Sequence, residues 1–111
     1  MTDRELLELA AKAAGIVIRD STRWKNTVVC QVTLDDGSTN YVRWNPITDS
    51  GQALELAVKL RLPIRDGLNG TVETGNERSG RPIWELWGDD PYAATRRAIV
   101  RAAAEIGKGM K

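Results

Sequence analysis

The residues able to do chemistry in this chain are few, and they gather in two places. The first is Trp44-Asn45-Pro46-Ile47-Thr48-Asp49-Ser50-Gly51. Trp44 offers a stacking face, Asn45 and Asp49 offer paired donors and acceptors, and Gly51 lets a ligand approach the backbone. The second is the C-terminal part, where Trp87 and Arg96 add two further candidate ligand contacts. There Arg97, Arg101 and Lys108 also form a basic row able to follow a phosphate backbone. Each reading has a structural alternative. Asn-Pro makes a turn, Asp49 caps the helix behind it, and Trp44 fills a core. A charge run on a helix is most often a solvated face. Arg96 falls in a helix sector that otherwise faces inward, so it needs a partner: Asp49 or Glu85 as a structural lock, or an anionic ligand held bidentately.

Other chemistries are narrowed by what the sequence contains. With no His and the single Cys30, neither a zinc site nor a His-based triad is expected within one chain. The acidic pairs Asp35-Asp36 and Asp89-Asp90 read as a turn and a helix cap, so the expectation is no metal, no cofactor and no enzyme. Cys30 alternates inward on a strand and behaves as a small hydrophobe. Sixteen basic against fifteen acidic residues give a formal charge of +1, so nucleic-acid binding has to rest on local clustering. No apolar run approaches the roughly 20 residues of a membrane span, and the N-terminus lacks the pattern of a signal peptide. Together with the lone cysteine this predicts a cytoplasmic protein without membrane contact. Four Trp and two Tyr with no Phe mean that every ring carries a polar handle, suited to core edges or to recognition surfaces.

The elements that must position these residues follow from periodicity and punctuation. At 111 residues the chain is read as a single domain, 1–111. Thr2 and Glu5 form a capping box, and Leu6, Leu9, Ala10, Ala13 and Ala14 recur at helical spacing until Gly15, giving a helix over 3–14. Ile16 to Arg19 reads as a short strand, and Asp20 to Asn26 as a polar connection containing Trp24. Val28, Cys30, Val32 and Leu34 alternate with period two. Asp36-Gly37 supplies a tight turn, and Thr39 to Trp44 returns with Val42 and Trp44 inward. A helix over 50–60 is apolar through most of its circumference, which predicts burial on several sides. Residues 65–82 carry four glycines and many charges and read as a flexible loop or hairpin arm, with 71–74 as its strand-like part. Ile83 to Trp87 is the last strand. Asp89-Asp90-Pro91 then starts a helix that runs to Ile106 and stops at Gly107, leaving 108–111 as a frayed tail. The order predicts an α+β fold, with three helices and one mainly antiparallel sheet of about four strands. Val17, Val29 and Tyr41 fall on the sheet face opposite Val28 and Val42. That face needs cover, either from a helix or from a second subunit in a homodimer.

Two stretches carry a family likeness. Trp44-Asn45-Pro46-Ile47-Thr48-Asp49-Ser50-Gly51-Gln52-Ala53-Leu54 with Ala57-Val58-Lys59-Leu60 is one, and Gly88 through Gly107 with its Asp89-Asp90-Pro91-Tyr92 start is the other. In these the chain resembles the phage ABA-sandwich domain family, small proteins of phages and prophages. The resemblance implies an α-β-α sandwich and a phage or prophage origin, and it brings no activity with it. The functional expectation is therefore a small accessory protein that binds a host protein or a small anionic metabolite. The alternative is a nucleic-acid binder using Arg97, Arg101 and Lys108.

Overall fold

The computed structural model describes residues 2–21, 27–67 and 69–110. Its elements are α1 (Asp3–Ala14), β1 (Ile18–Asp20), β2 (Val28–Thr33), β3 (Thr39–Arg43), α2 (Ser50–Leu60), β4 (Ile64–Asp66), β5 (Thr71–Thr74), β6 (Ile83–Leu86) and α3 (Pro91–Lys108). The class is α+β. The strands form two separate three-stranded antiparallel sheets, β1-β2-β3 and β4-β5-β6, where the sequence predicts one sheet of about four. The difference arises at β4, which follows Pro63 and whose three exposed residues show no alternation to read. By pairing Arg65 with Glu73 it completes a sheet around β5 instead of leaving β5 and β6 to extend the first one.

Local caps explain why the helices begin where they do. The Glu5 N–H donates to Thr2 Oγ1, the Gln52 N–H to Asp49 Oδ1, and the Tyr92 and Ala93 N–H groups to Asp90 Oδ1. Each side chain thereby satisfies an amide that the first helical turn leaves open.

The core is built on α1 and α3, which run in the same direction: Arg97 reaches Asp3 near the start of α1, and Lys12 Nζ donates to the Met110 carbonyl at its end. The two helices meet closely, and their buried sides carry small residues, including Ala10, Ala14, Ala103 and Ala104. Gly107 belongs to this contact. It does not stop α3, which continues to Lys108. A Cβ at Gly107 would overlap the Leu9 carbonyl oxygen and stand 2.8 Å from its carbon, so only glycine permits this approach.

The two sheets meet this helical core differently. In the first, Val28, Val29 and Trp44 are buried, and Ile18 and Cys30 pack at the margin. Farther out, Val32, Leu34 and Val42 are exposed, so the β2–β3 hairpin projects as an arm beyond its buried base. Val42, expected to face inward, is a correction: it pairs with Cys30 just past the point where the core ends. Of the three residues on the opposite face, Val29 is buried, Val17 is exposed, and Tyr41 lies under the Arg19 guanidinium, 4.2 Å from the ring centroid. In the second sheet Val72, Thr74 and Ile83 are buried, with Val72 packed on Ala94 and Ala98 of α3, while Trp84 and Leu86 lie open to water. Within 65–82, the turn after β5 is tied to the end of α2 by Asn76 Nδ2, which donates to the Leu60 carbonyl at 3.0 Å. With Trp84 and Leu86 uncovered, the second sheet is not enclosed between two helical layers.

The connection carrying Trp24 falls at 22–26, outside the described residues, as does Lys111. α2 departs from expectation in its packing. Ala53, Leu56, Ala57 and Leu60 face the core, but Leu54 and Val58 remain 59% and 69% exposed because helices cover only one side.

Candidate functional site

The hinge between β3 and α2 forms because Pro46 cannot continue the strand and the polar groups around it close a turn. The Asn45 carbonyl accepts from the Thr48 and Asp49 N–H groups at 3.1 and 2.9 Å. Asn45 Oδ1 accepts from the Ile47 N–H at 3.1 Å, and Asp49 Oδ1 from the Gln52 N–H at 2.9 Å. Trp44 is 5% exposed and belongs to the core, which corrects its reading as a stacking face. A hollow of about 330 Å³ does adjoin Trp44, Asn45 and Asp49. The groups offered there for recognition are largely engaged in making the turn.

Gln52 is the residue that sequence reasoning missed. Its Nε2 donates to the Arg43 carbonyl and its Oε1 accepts from the Asn45 N–H, both at 2.6 Å. The side-chain amide thus occupies the outer edge of the strand on either side of Trp44, as a neighbouring strand would. Its signal was present: Gln52 stands three residues after the cap Asp49, the capping-box position. Here the side chain passes the cap and reaches the preceding strand.

Arg96 sits on the inward sector of α3 as its helical position requires, but its partners are neither Asp49 nor Glu85. Nε donates to the Ile47 carbonyl at 2.8 Å and Nη1 to Ser50 Oγ at 3.0 Å. It therefore fastens α3 to the hinge through neutral oxygens. Trp87 lies elsewhere, half-buried against Val72, Ala94 and Ala98. It borders a different hollow, with Asp89, Asp90 and Arg97. The five ligand candidates Trp44, Asn45, Asp49, Trp87 and Arg96 are therefore not gathered into one site.

The basic row of α3 is accompanied by acids. Arg97 pairs with Asp3 Oδ1 at 3.0 Å, Arg101 with Glu85 Oε2 at 2.9 Å, and Lys108 Nζ lies 3.8 Å from Glu105 Oε1. These partly exposed pairs contribute little to stability, yet they set a carboxylate beside each cation that would otherwise meet a phosphate. Arg101 also donates to the Trp84 carbonyl at 3.0 Å, which brings an aromatic residue beside a helix face that has none of its own.

Cys30 is part-buried, and burial pushes its thiol pKa up, with the charge of Glu55 adding to the effect. This disfavours the thiolate that a nucleophile requires. Among the described residues no group of three or more His, Cys, Asp or Glu side chains is placed to hold a metal ion, and no helix is long and apolar enough to cross a membrane. Comparison with protein-family models, with curated proteins and with solved structures found no match for this chain.

Proposed function

We propose that this chain is a non-enzymatic binding module that holds a protein partner along the outer side of α2 and the adjoining β2–β3 arm. The observation that carries the reading is the solvent exposure of Leu54 and Val58, one turn apart on α2, where a widely apolar helix is left covered on one side only. Paired aliphatic side chains at this spacing are the anchors by which a helix seats in an apolar groove. The arm extends the surface. Gln52 of α2 bonds to Arg43 and Asn45 at the end of β3, so α2 adjoins the base of the arm, one face of which carries Cys30, Val32 and Val42.

Two occupants suit such a surface, a host protein or a second copy of the chain in a homodimer. A small anionic metabolite at the hinge is less well supported, since Arg96 is already bound to Ile47 and Ser50. The setting proposed is that of a phage or prophage accessory protein in the host cytoplasm. It rests on the two stretches that resemble the phage ABA-sandwich family and on the lone cysteine.

Photo-crosslinking tests the proposal. With benzoylphenylalanine placed at Val58 or Val42 in cells, an adduct of defined mass is expected, and Leu54→Glu should suppress it. An adduct at twice the 12.3 kDa chain mass identifies a second copy; another mass identifies a different protein. A chain that stays at its own mass at both positions refutes the reading.

A further inference from the structure

Among the described residues, Trp84 is the largest side chain left in water, 61% exposed on the open face of the second sheet. Its position is fixed by the register, which sets it directly opposite Glu73 on β5. Beside it lies a hollow of about 410 Å³ whose walls include Trp84, Arg81, Arg101 and Glu105. The two arginines differ in state. Arg101 is held in place by the Trp84 carbonyl and Glu85, whereas Arg81 has no hydrogen-bond or ion-pair partner among the described residues.

We propose that this hollow binds a nucleotide unit, with the base stacked on Trp84 and the phosphate held by Arg81. An exposed indole suits a flat aromatic ring, because stacking needs only a π-face and tolerates different bases. The free guanidinium of Arg81 supplies the planar pair of donors that a phosphate accepts. Arg101, clamped by the Trp84 carbonyl and Glu85, forms a fixed wall of the hollow that does not have to be ordered on binding. Glu105 repels a phosphate on its own side, which places the phosphate toward Arg81, and its carboxylate can accept from a base amino group. The volume lies within the range of small-ligand pockets.

The ligand has two possible sources, a free nucleotide or one unit of a single strand. The proposal stands apart from the protein-binding reading, because it shares no residue with α2 or the arm. Crosslinking at Val58 and nucleotide binding at Trp84 can therefore succeed or fail separately.

The test is fluorescence anisotropy with a labelled single-stranded oligonucleotide of about 12 nucleotides, alongside calorimetry with adenosine monophosphate. Binding of at least one probe is expected, weakening as salt rises. Trp84→Leu and Arg81→Glu should each reduce affinity about tenfold or more, with circular dichroism confirming the fold. Trp84→Tyr keeps a ring and should retain binding, which separates stacking from a loss of structure. Comparable binding of both probes assigns a free nucleotide, and binding of the oligonucleotide alone assigns a strand. If neither probe binds, or if Trp84→Leu and Arg81→Glu bind as the parent does, the proposal is overturned.

Discussion

Replacing Gly107 with Ala sets two physical effects against each other with opposite signs. Considered as a helix position alone, Gly→Ala stabilises by about 1 kcal/mol, because glycine gives up more backbone freedom on folding. The packing of α1 on α3 opposes this. A Cβ at 107 would overlap the Leu9 carbonyl oxygen and lie 2.8 Å from its carbon and 3.3 Å from its Cα. Those atoms are backbone, so no side-chain rotation relieves the overlap and the helices must separate. Separation loosens neighbours that are fully or nearly fully buried, among them Ala10, Ala103 and Ile106. Overpacking of this kind costs about 1–3 kcal/mol. Because the obstacle is main chain and the cavity cost adds to the strain, the net change expected is destabilisation by about 1–2 kcal/mol, a fall in Tm of about 4–15 °C for a domain of this size. Urea denaturation followed by circular dichroism measures it. Gly109→Ala is the internal control: a Cβ there meets its nearest atom at 3.7 Å, an ordinary contact, and should change stability by no more than about 0.5 kcal/mol. An increase in the urea midpoint for Gly107→Ala, with an unchanged slope, would refute the close-packing argument and leave helix propensity as the governing term.

Three further outcomes are expected. Thr74 is fully buried and its hydroxyl has no partner among the described residues, so Thr74→Val should stabilise by about 1 kcal/mol in urea titrations; a loss of stability would show that the hydroxyl is engaged. Gln52→Ala removes both bonds to the strand edge at Arg43 and Asn45; it should destabilise by about 1–2 kcal/mol and speed hydrogen exchange at the Asn45 amide, whereas unchanged exchange there would contradict the clamp. Hydrogen bonds from Ser38 Oγ and the Ser38 N–H hold the Asp36 carboxyl below its ordinary pKa of 3.8. A lowered folded-state pKa stabilises above the ordinary value and ceases to do so as pH falls through the folded one. NMR titration should find the Asp36 pKa raised in Ser38→Ala, and an unmoved titration would dismiss the turn bond as its cause.

What was legible in the sequence was local. Asp3–Ala14 and Ser50–Leu60 coincide with the helices read from spacing and caps, because a cap acts within a few residues of its helix. The β2–β3 hairpin announced itself by alternation and Asp36-Gly37. What was not legible depended on which elements meet. The wheel of α2 shows apolar residues nearly all round, but it cannot say that one side lacks a neighbour, so the exposure of Leu54 and Val58 came only from the fold. Gly107 has the sequence context of a stop signal and acts as a contact, since its partner, the Leu9 carbonyl, lies far away in the chain. Arg96 lies in the helix sector that its spacing predicts to face inward, and its acceptors are a main-chain carbonyl and a serine hydroxyl, which a search for acidic partners overlooks.

The pairing of α1 with α3 also bears on the order of events during synthesis. α1 leaves the ribosome before α3, with an apolar side formed by Leu6, Leu7, Ala10 and Ala14, and the surface it needs is encoded well downstream of it. At ordinary rates of elongation the residues between the two helices take roughly 4–15 s to appear. During that interval the sheets can form only piecemeal around an incomplete centre. Closure then comes late and joins distant segments in one step, so a stalled or truncated chain ending before α3 would present its first helix as a sticky, unpaired surface to chaperones and proteases.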